Sequence, residues 1–160
     1  MLIKFKNNYI LWAHDISNRS WNLESYKKLC VIDNVSDFWK LFNNFEKLGI
    51  RFMQFFFMKD YTQPLWEHES NRNGGMCSFR IELDDSVTMW TEFAARMVTE
   101  CLNNDSDDIN GISFSPKNSW VIIKIWNKDN KKDLSKTLLP EIINKYEKFS
   151  MKYKENAPEY

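Results

Sequence analysis

The stretch SWVIIKIW, residues 119–126, decides the fold. Its odd positions, Val121, Ile123 and Ile125, are β-branched, while Trp120, Ile122, Lys124 and Trp126 fill the even ones. Successive side chains of a strand point to opposite faces. The odd set therefore needs an apolar layer over it, and the Trp-and-Lys set faces the other way. Such a strand suits an antiparallel sheet with helices on one face only. Its other face is then a candidate binding surface.

The flanking segments agree. YILWAHD (9–15), YKKLCVI (26–32), RFMQFFFMK (51–59), MCSFRIEL (76–83) and ISFSP (112–116) read as strands, and SMKYK (150–154) as a short final one. SDFWKLFNNFEK (36–47) reads as a helix capped by Ser36, with Phe38, Leu41, Phe42 and Phe45 on one face and Gly49 ending it. DDSVTMWTEFAARMVTECL (84–102) is a helix with an acidic start. KKDLSKTLLPEIINKYEKF (131–149) holds the third, with Pro140 within or kinking it. NNDSDDING (103–111) is a loop. The expected fold is α+β, a single domain over residues 1–160.

With 160 residues, 43% of them hydrophobic and 16% aromatic, the chain can build a real core. Zero net charge argues against broad binding to a nucleic-acid backbone or an anionic membrane, while leaving room for a small basic site. No apolar run approaches the roughly 20 residues of a membrane span, and the alternating start MLIKFKNNYILWAHD is not a signal peptide. Cys30, Cys77 and Cys101 are odd in number and far apart. They point to reduced thiols in a cytosolic or nuclear setting.

Seven tryptophans are dense for this length. Trp12, Trp39, Trp90 and Trp120 fall on strands or helices, where a core role is natural. Trp21, in DISNRSWNLE, and Trp66, in the loop TQPLWEHESNRNGG (62–75), do not. A loop indole is either a lid on its own core or a platform for a ligand, and both readings stand at this point. Two facing indoles can sandwich a flat ring, best a cationic one, with cation–π attraction of up to roughly 2 kcal/mol when desolvated. Glu67, beside Trp66, can accept two donors from the edge of such a ring, as guanine offers. His14 and His68 have no nucleophile or metal set around them, so catalysis is not favoured. DSDD (105–108) lacks the spacing of a calcium loop and reads as a solvated turn.

LW (11–12), SW (20–21), DNVSDFWKLFNN (33–44), PLWEHESNRNGG (64–75), SDDINGISF (106–114) and IKIW (123–126) together resemble the translation initiation factor 4E family, in order and spacing, from about Tyr9 to Lys154. The resemblance implies a curved antiparallel sheet with three helices on its convex back and a slot for the mRNA cap on its concave side. It implies a cytoplasmic, monomeric, noncatalytic cap-binding protein without cofactor or metal. Trp21 and Trp66 match the indoles that sandwich 7-methylguanine. Glu67 matches the carboxylate that reads the guanine edge, the Trp66 amide meets O6, and Trp126 matches the Trp at the N7-methyl group. The family's phosphate-clamping Arg falls at Lys117 and its Lys at Ile122; Lys124, on the same strand face, is the alternative cation. A further family Arg is here Met76.

On the helices, Val35 and Trp39 are four apart and so touch. Trp39 is either core edge or, as the resemblance implies, the docking Trp for a scaffold or inhibitor protein carrying a Tyr-x-x-x-x-Leu-apolar helix. Trp90, Thr91 and Glu92 match positions near the same groove. Thr91 and Ala95 replace bulkier apolar residues, and IKF (3–5) stands where the family has His-Pro-Leu. An altered groove also admits a cap-competing repressor or adaptor that does not engage the usual scaffold. The chain begins almost at its first strand, without the long N-terminal extension common in the family; it reads either as a trimmed piece or as a compact or divergent member.

Overall fold

A computed structural model describes residues 2–156. Seven strands are present among them: β1 (Lys4–Asp15), β2 (Lys27–Asn34), β3 (Met53–Lys59), β4 (Gly75–Glu82), β5 (Ile109–Pro116), β6 (Trp120–Asn127) and β7 (Lys152–Glu155). They form one open, curved antiparallel sheet in the order β2-β1-β3-β5-β6-β4-β7. Four helices accompany it: α1 (Val35–Phe42), α2 (Leu83–Val98), α3 (Leu134–Thr137) and α4 (Pro140–Tyr146). The α+β architecture expected from the sequence is the one observed.

The alternation in β6 sorts the two faces. Val121, Ile123 and Ile125 are fully buried in one large cluster with Phe38 and Phe42 of α1, Phe93 and Ala94 of α2, Leu134 of α3 and Ile142 of α4. Phe45, Trp90 and Phe114 pack against one another at its centre, with ring centroids 5.4–5.7 Å apart. The other face carries a second, smaller cluster of Ile10, Trp12, Tyr26, Phe56, Met58 and Trp126. Among the described residues no α-helix packs on this cluster, only the 3-10 turn Leu23–Ser25 through Leu23, and the cluster is the floor on which a site can be built.

Three local expectations change. The N-cap of α1 is Asn34, not Ser36: its side chain accepts from the Asp37 amide at 2.9 Å. The helix stops at Phe42, and a separate 3-10 turn, Phe45–Leu48, ends at Gly49 in the left-handed region with φ 80°, where a side chain would be strained. The expected third helix is two. Pro140 has no amide hydrogen to continue a helix from α3, so it starts α4 at its first turn instead.

Candidate functional site

Trp21, Trp66, Glu67, Lys124 and Trp126 all line one concave cavity of about 200 Å³. They come from three places: the β1–β2 connection, the β3–β4 loop and β6. The sheet brings together what the sequence keeps 105 residues apart, from position 21 to position 126. Tyr26 and Phe56 also line the cavity. The Trp126 indole is almost fully buried and donates to Ser113 Oγ at 3.0 Å, so one ring edge is fixed. Burial, then the nearby Glu67 carboxylate, push the Tyr26 hydroxyl up to about 12. Tyr26 therefore stays a neutral wall of the slot at physiological pH.

The loop carrying Trp66 is built around Asn71, which is fully buried. Its Nδ2 donates to Thr62 Oγ1 and to the Gln63 and Leu65 carbonyls at 2.9–3.1 Å. Its Oδ1 accepts from Asn110 of β5 at 2.7 Å, and its carbonyl accepts from Asn156 at 2.9 Å. Thr62 and Ser70 join through their hydroxyls, and His68 Nδ1 pairs with Ser70 Oγ at 2.7 Å. Gly74 runs so close to β6 that an added Cβ would lie 1.8 Å from the Asn127 carbonyl oxygen. Asn and Gly residues here read as sources of freedom in the sequence. In the fold they are fixed contacts that set the position of Trp66, which packs half-buried on the concave cluster, with Glu67 exposed beside it.

Trp21 is 51% exposed. One face of its indole stacks on His14, with centroids 4.2 Å apart and planes 7° apart. His14 is fully buried, and its Nε2–H donates to the Ser20 carbonyl at 2.7 Å. A histidine thus holds both the ring and the backbone of the residue before it. The sequence reading missed this contact. The signal was present: His14 has the same parity in β1 as Ile10 and Trp12, and so shares their face.

The cations differ in placement. Lys124 lines the slot, whereas Lys117 sits exposed in the β5–β6 hairpin and does not. Burial lowers the Lys124 ammonium below its ordinary value, and the charges of Lys117 and Lys154 lower it further. Ile122 is a half-buried apolar residue two positions along, and Met76 pairs with Trp126 across the β4–β6 ladder.

On the opposite side, Trp39 is 44% exposed and meets Phe38 edge-on at 5.0 Å. Val35 and Thr91 are half-buried. Glu92 is held internally: Lys145 donates to it at 2.9 Å and the Tyr146 hydroxyl also donates. Burial raises its carboxyl, but these bonds outweigh that and leave it below its ordinary value. Trp90 corrects an expectation. It is 0% exposed beneath α2, with Phe42, Phe45 and Phe114 around its ring. A docking protein cannot touch it, and its contribution to that face is support from below.

Comparison with known proteins gives consistent results. The family model described as Eukaryotic initiation factor 4E matches residues 4–159. Eukaryotic translation initiation factor 4E of Dictyostelium discoideum is 30% identical over 130 residues, 77% of this chain and 51% of that protein. Eukaryotic translation initiation factor 4E-1 of Caenorhabditis elegans is 28% identical over 131 residues, 78% of this chain and 61% of that protein. The chain thus spans about half to three fifths of these curated relatives. Among solved structures, the complex of C. elegans eIF4E-3 with the 4E-binding protein Mextli and cap analog has a TM-score of 0.82 at 20% identity, covering 96% of this chain and 92% of that one. The complex of Ascaris suum eIF4E-3 with m7G cap has a TM-score of 0.79 at 18% identity, covering 99% and 94%. With the family match running through all seven strands, the chain belongs to the eukaryotic initiation factor 4E family.

Proposed function

We propose that the concave slot binds the 7-methylguanosine cap of mRNA, and that the protein, itself noncatalytic and monomeric, recruits capped mRNA for translation initiation in the cytoplasm. The convergence of Trp21, Trp66, Glu67 and Trp126 on one cavity carries this reading. Methylation at N7 makes guanine a flat cation. Two indole faces attract such a ring by up to roughly 2 kcal/mol beyond burial. His14 then continues the stack behind Trp21, and Glu67 accepts the two guanine-edge donors. Trp126 closes the slot where the N7-methyl group lies. Solved relatives that share the fold hold a cap analog or m7G cap.

The dorsal face around Val35, Trp39 and Thr91 is the proposed seat for a scaffold or inhibitor helix of the Tyr-x-x-x-x-Leu-apolar kind. The exposed Trp39 supports it, and one related structure is bound to a 4E-binding protein.

Retention on 7-methylguanosine resin tests the slot. Trp66→Ala and Trp21→Ala are expected to abolish retention while cooperative unfolding persists. Glu67→Ala is expected to lose it too, because guanine donors are then buried without partners. Retention of both Trp variants at the wild-type level overturns the proposal.

A further inference from the structure

We infer that Arg80, laid against Trp120, is a phosphate-binding residue that extends the slot along the concave face of β4 and β6. This rests on the slot taking a methylated guanine nucleotide, whose phosphate chain must leave the base site in some direction.

The ladder between these strands fixes the layout. Met76 pairs with Trp126, Ser78 with Lys124, Arg80 with Ile122 and Glu82 with Trp120. All eight share the concave face, since Cys77, Phe79, Ile81 and their partners fill the convex core. Moving from the slot along the ladder, each rung advances roughly 6.8 Å. Lys124 comes first and Arg80 next. A second cavity of about 410 Å³ opens beside the slot, sharing Trp66, Met76 and Lys124 with it and adding Ser78, Lys154, Glu155 and Asn156; Arg80 lies one rung beyond Ser78. Glu82 marks the far end, where a carboxylate would repel a phosphate.

Arg80 is exposed, and its guanidinium carbon lies 4.1 Å from the Trp120 ring centroid. Stacking uses the flat face of the guanidinium. Its N–H donors lie in the plane, so they stay free for two-point contact with phosphate oxygens. None of the ion pairs among the described residues includes Arg80, Lys117, Lys124 or Lys154. Lys124 and Arg80, on successive rungs, form a cationic track without an ion-paired carboxylate; Lys117 and Lys154 flank it, and Glu155 shares the second cavity with Lys154. Ile122, between Lys124 and Trp120 on its strand, contributes no charge. Arg80 delivers it to the same rung from the neighbouring strand.

The experiment titrates the full chain with 7-methylguanosine mono-, di- and triphosphate, following tryptophan fluorescence at two salt concentrations. Wild type is expected to gain affinity with each added phosphate. Arg80→Ala is expected to bind the triphosphate roughly tenfold more weakly, with the monophosphate unchanged and the salt slope reduced by about one. Adding Ile122→Lys to Arg80→Ala is expected to restore triphosphate binding. Three outcomes overturn the inference. Arg80→Ala equals wild type on all three probes, or it weakens all three equally, or wild type binds monophosphate as tightly as triphosphate. In each of these the base slot still stands, whereas wild type binding none of the probes removes the slot reading itself.

Discussion

The two faces of β6 have the same backbone and opposite requirements. On the convex side Val121, Ile123 and Ile125 are fully buried, and each must match the volume of the helix layer above it. On the concave side Trp120, Ile122, Lys124 and Trp126 run from exposed to nearly buried over a cluster with no α-helix on it among the described residues. The first face answers to packing density, where a lost methylene leaves a void. The second answers to what it holds, so it tolerates charge and half-covered rings. Stability and ligand binding should therefore separate by face. The largest test is Phe114→Ala on the convex face, where the ring meets Phe45, Phe55 and Trp90. It should cost about 3–5 kcal/mol in denaturant unfolding. Trp66→Ala should stay within about 1 kcal/mol of wild type in the same assay. Equal losses in the two variants would break the division between the faces.

One charged residue stands on the wrong side of that division. Lys59 ends β3 with the same parity as Phe55 and Phe57, is 3% exposed, and donates to the Ser106 carbonyl at 2.7 Å. Burial, then the charge of Lys128, bring its ammonium down to about 8 from an ordinary 10.5. Its folded value lies below its unfolded value, the reverse of a lysine that gains an acid partner. Below pH 8 both states hold the proton and the full penalty for a buried charge is present. Between pH 8 and 10.5 the unfolded chain holds more protons, so stability rises with pH. The rise attributable to Lys59 should reach up to about 3 kcal/mol. It should vanish in Lys59→Met, which should also be more stable at pH 7. An unchanged rise in that variant would show that the ammonium is not paying a burial penalty there.

The fold was legible because its signals are periodic and local. The odd-even split of residues 119–126 gave the sheet a covered and an open face, and both were found. Caps and breaks were less legible, since Ser36 and Asn34 are both good N-cap residues and only backbone geometry chooses between them. Pro140 signalled a discontinuity but not that α3 and α4 would be separate helices. At the candidate site, Trp21, Trp66 and Glu67 could be named from type and placement, because unusual residues in turn-prone segments stand out, whereas Trp126, on a strand, took its role from the resemblance. Their supports could not. Asn71 looks like any loop asparagine until Asn110, 39 residues on, meets its Oδ1. Trp90 divided the two kinds of reading: its place on a helix made a core role natural, while the resemblance put it near the docking groove, and its full burial sides with the first.

His14 tests how far a residue behind the slot controls what happens in it, with the smallest expected effect. It belongs to the concave face but holds no ligand in the proposed arrangement. Its ring stacks on Trp21, and its Nε2–H holds the Ser20 carbonyl. An aromatic stack of this kind contributes about 0.5–1.5 kcal/mol, and a neutral hydrogen bond about 1 kcal/mol. Without them Trp21, on an exposed loop, samples orientations that cannot close on a ring, and the bound state bears the cost of ordering it. His14→Ala should weaken binding of 7-methylguanosine triphosphate about three- to tenfold by fluorescence titration. His14→Phe keeps the stack and loses the hydrogen bond, so it should fall between Ala and wild type. Both variants should lower affinity for the mono- and triphosphate by the same factor, because the effect enters through the base. A loss confined to the triphosphate would place His14 on the phosphate side of the slot and undo the distinction between the clamp and the track beyond it.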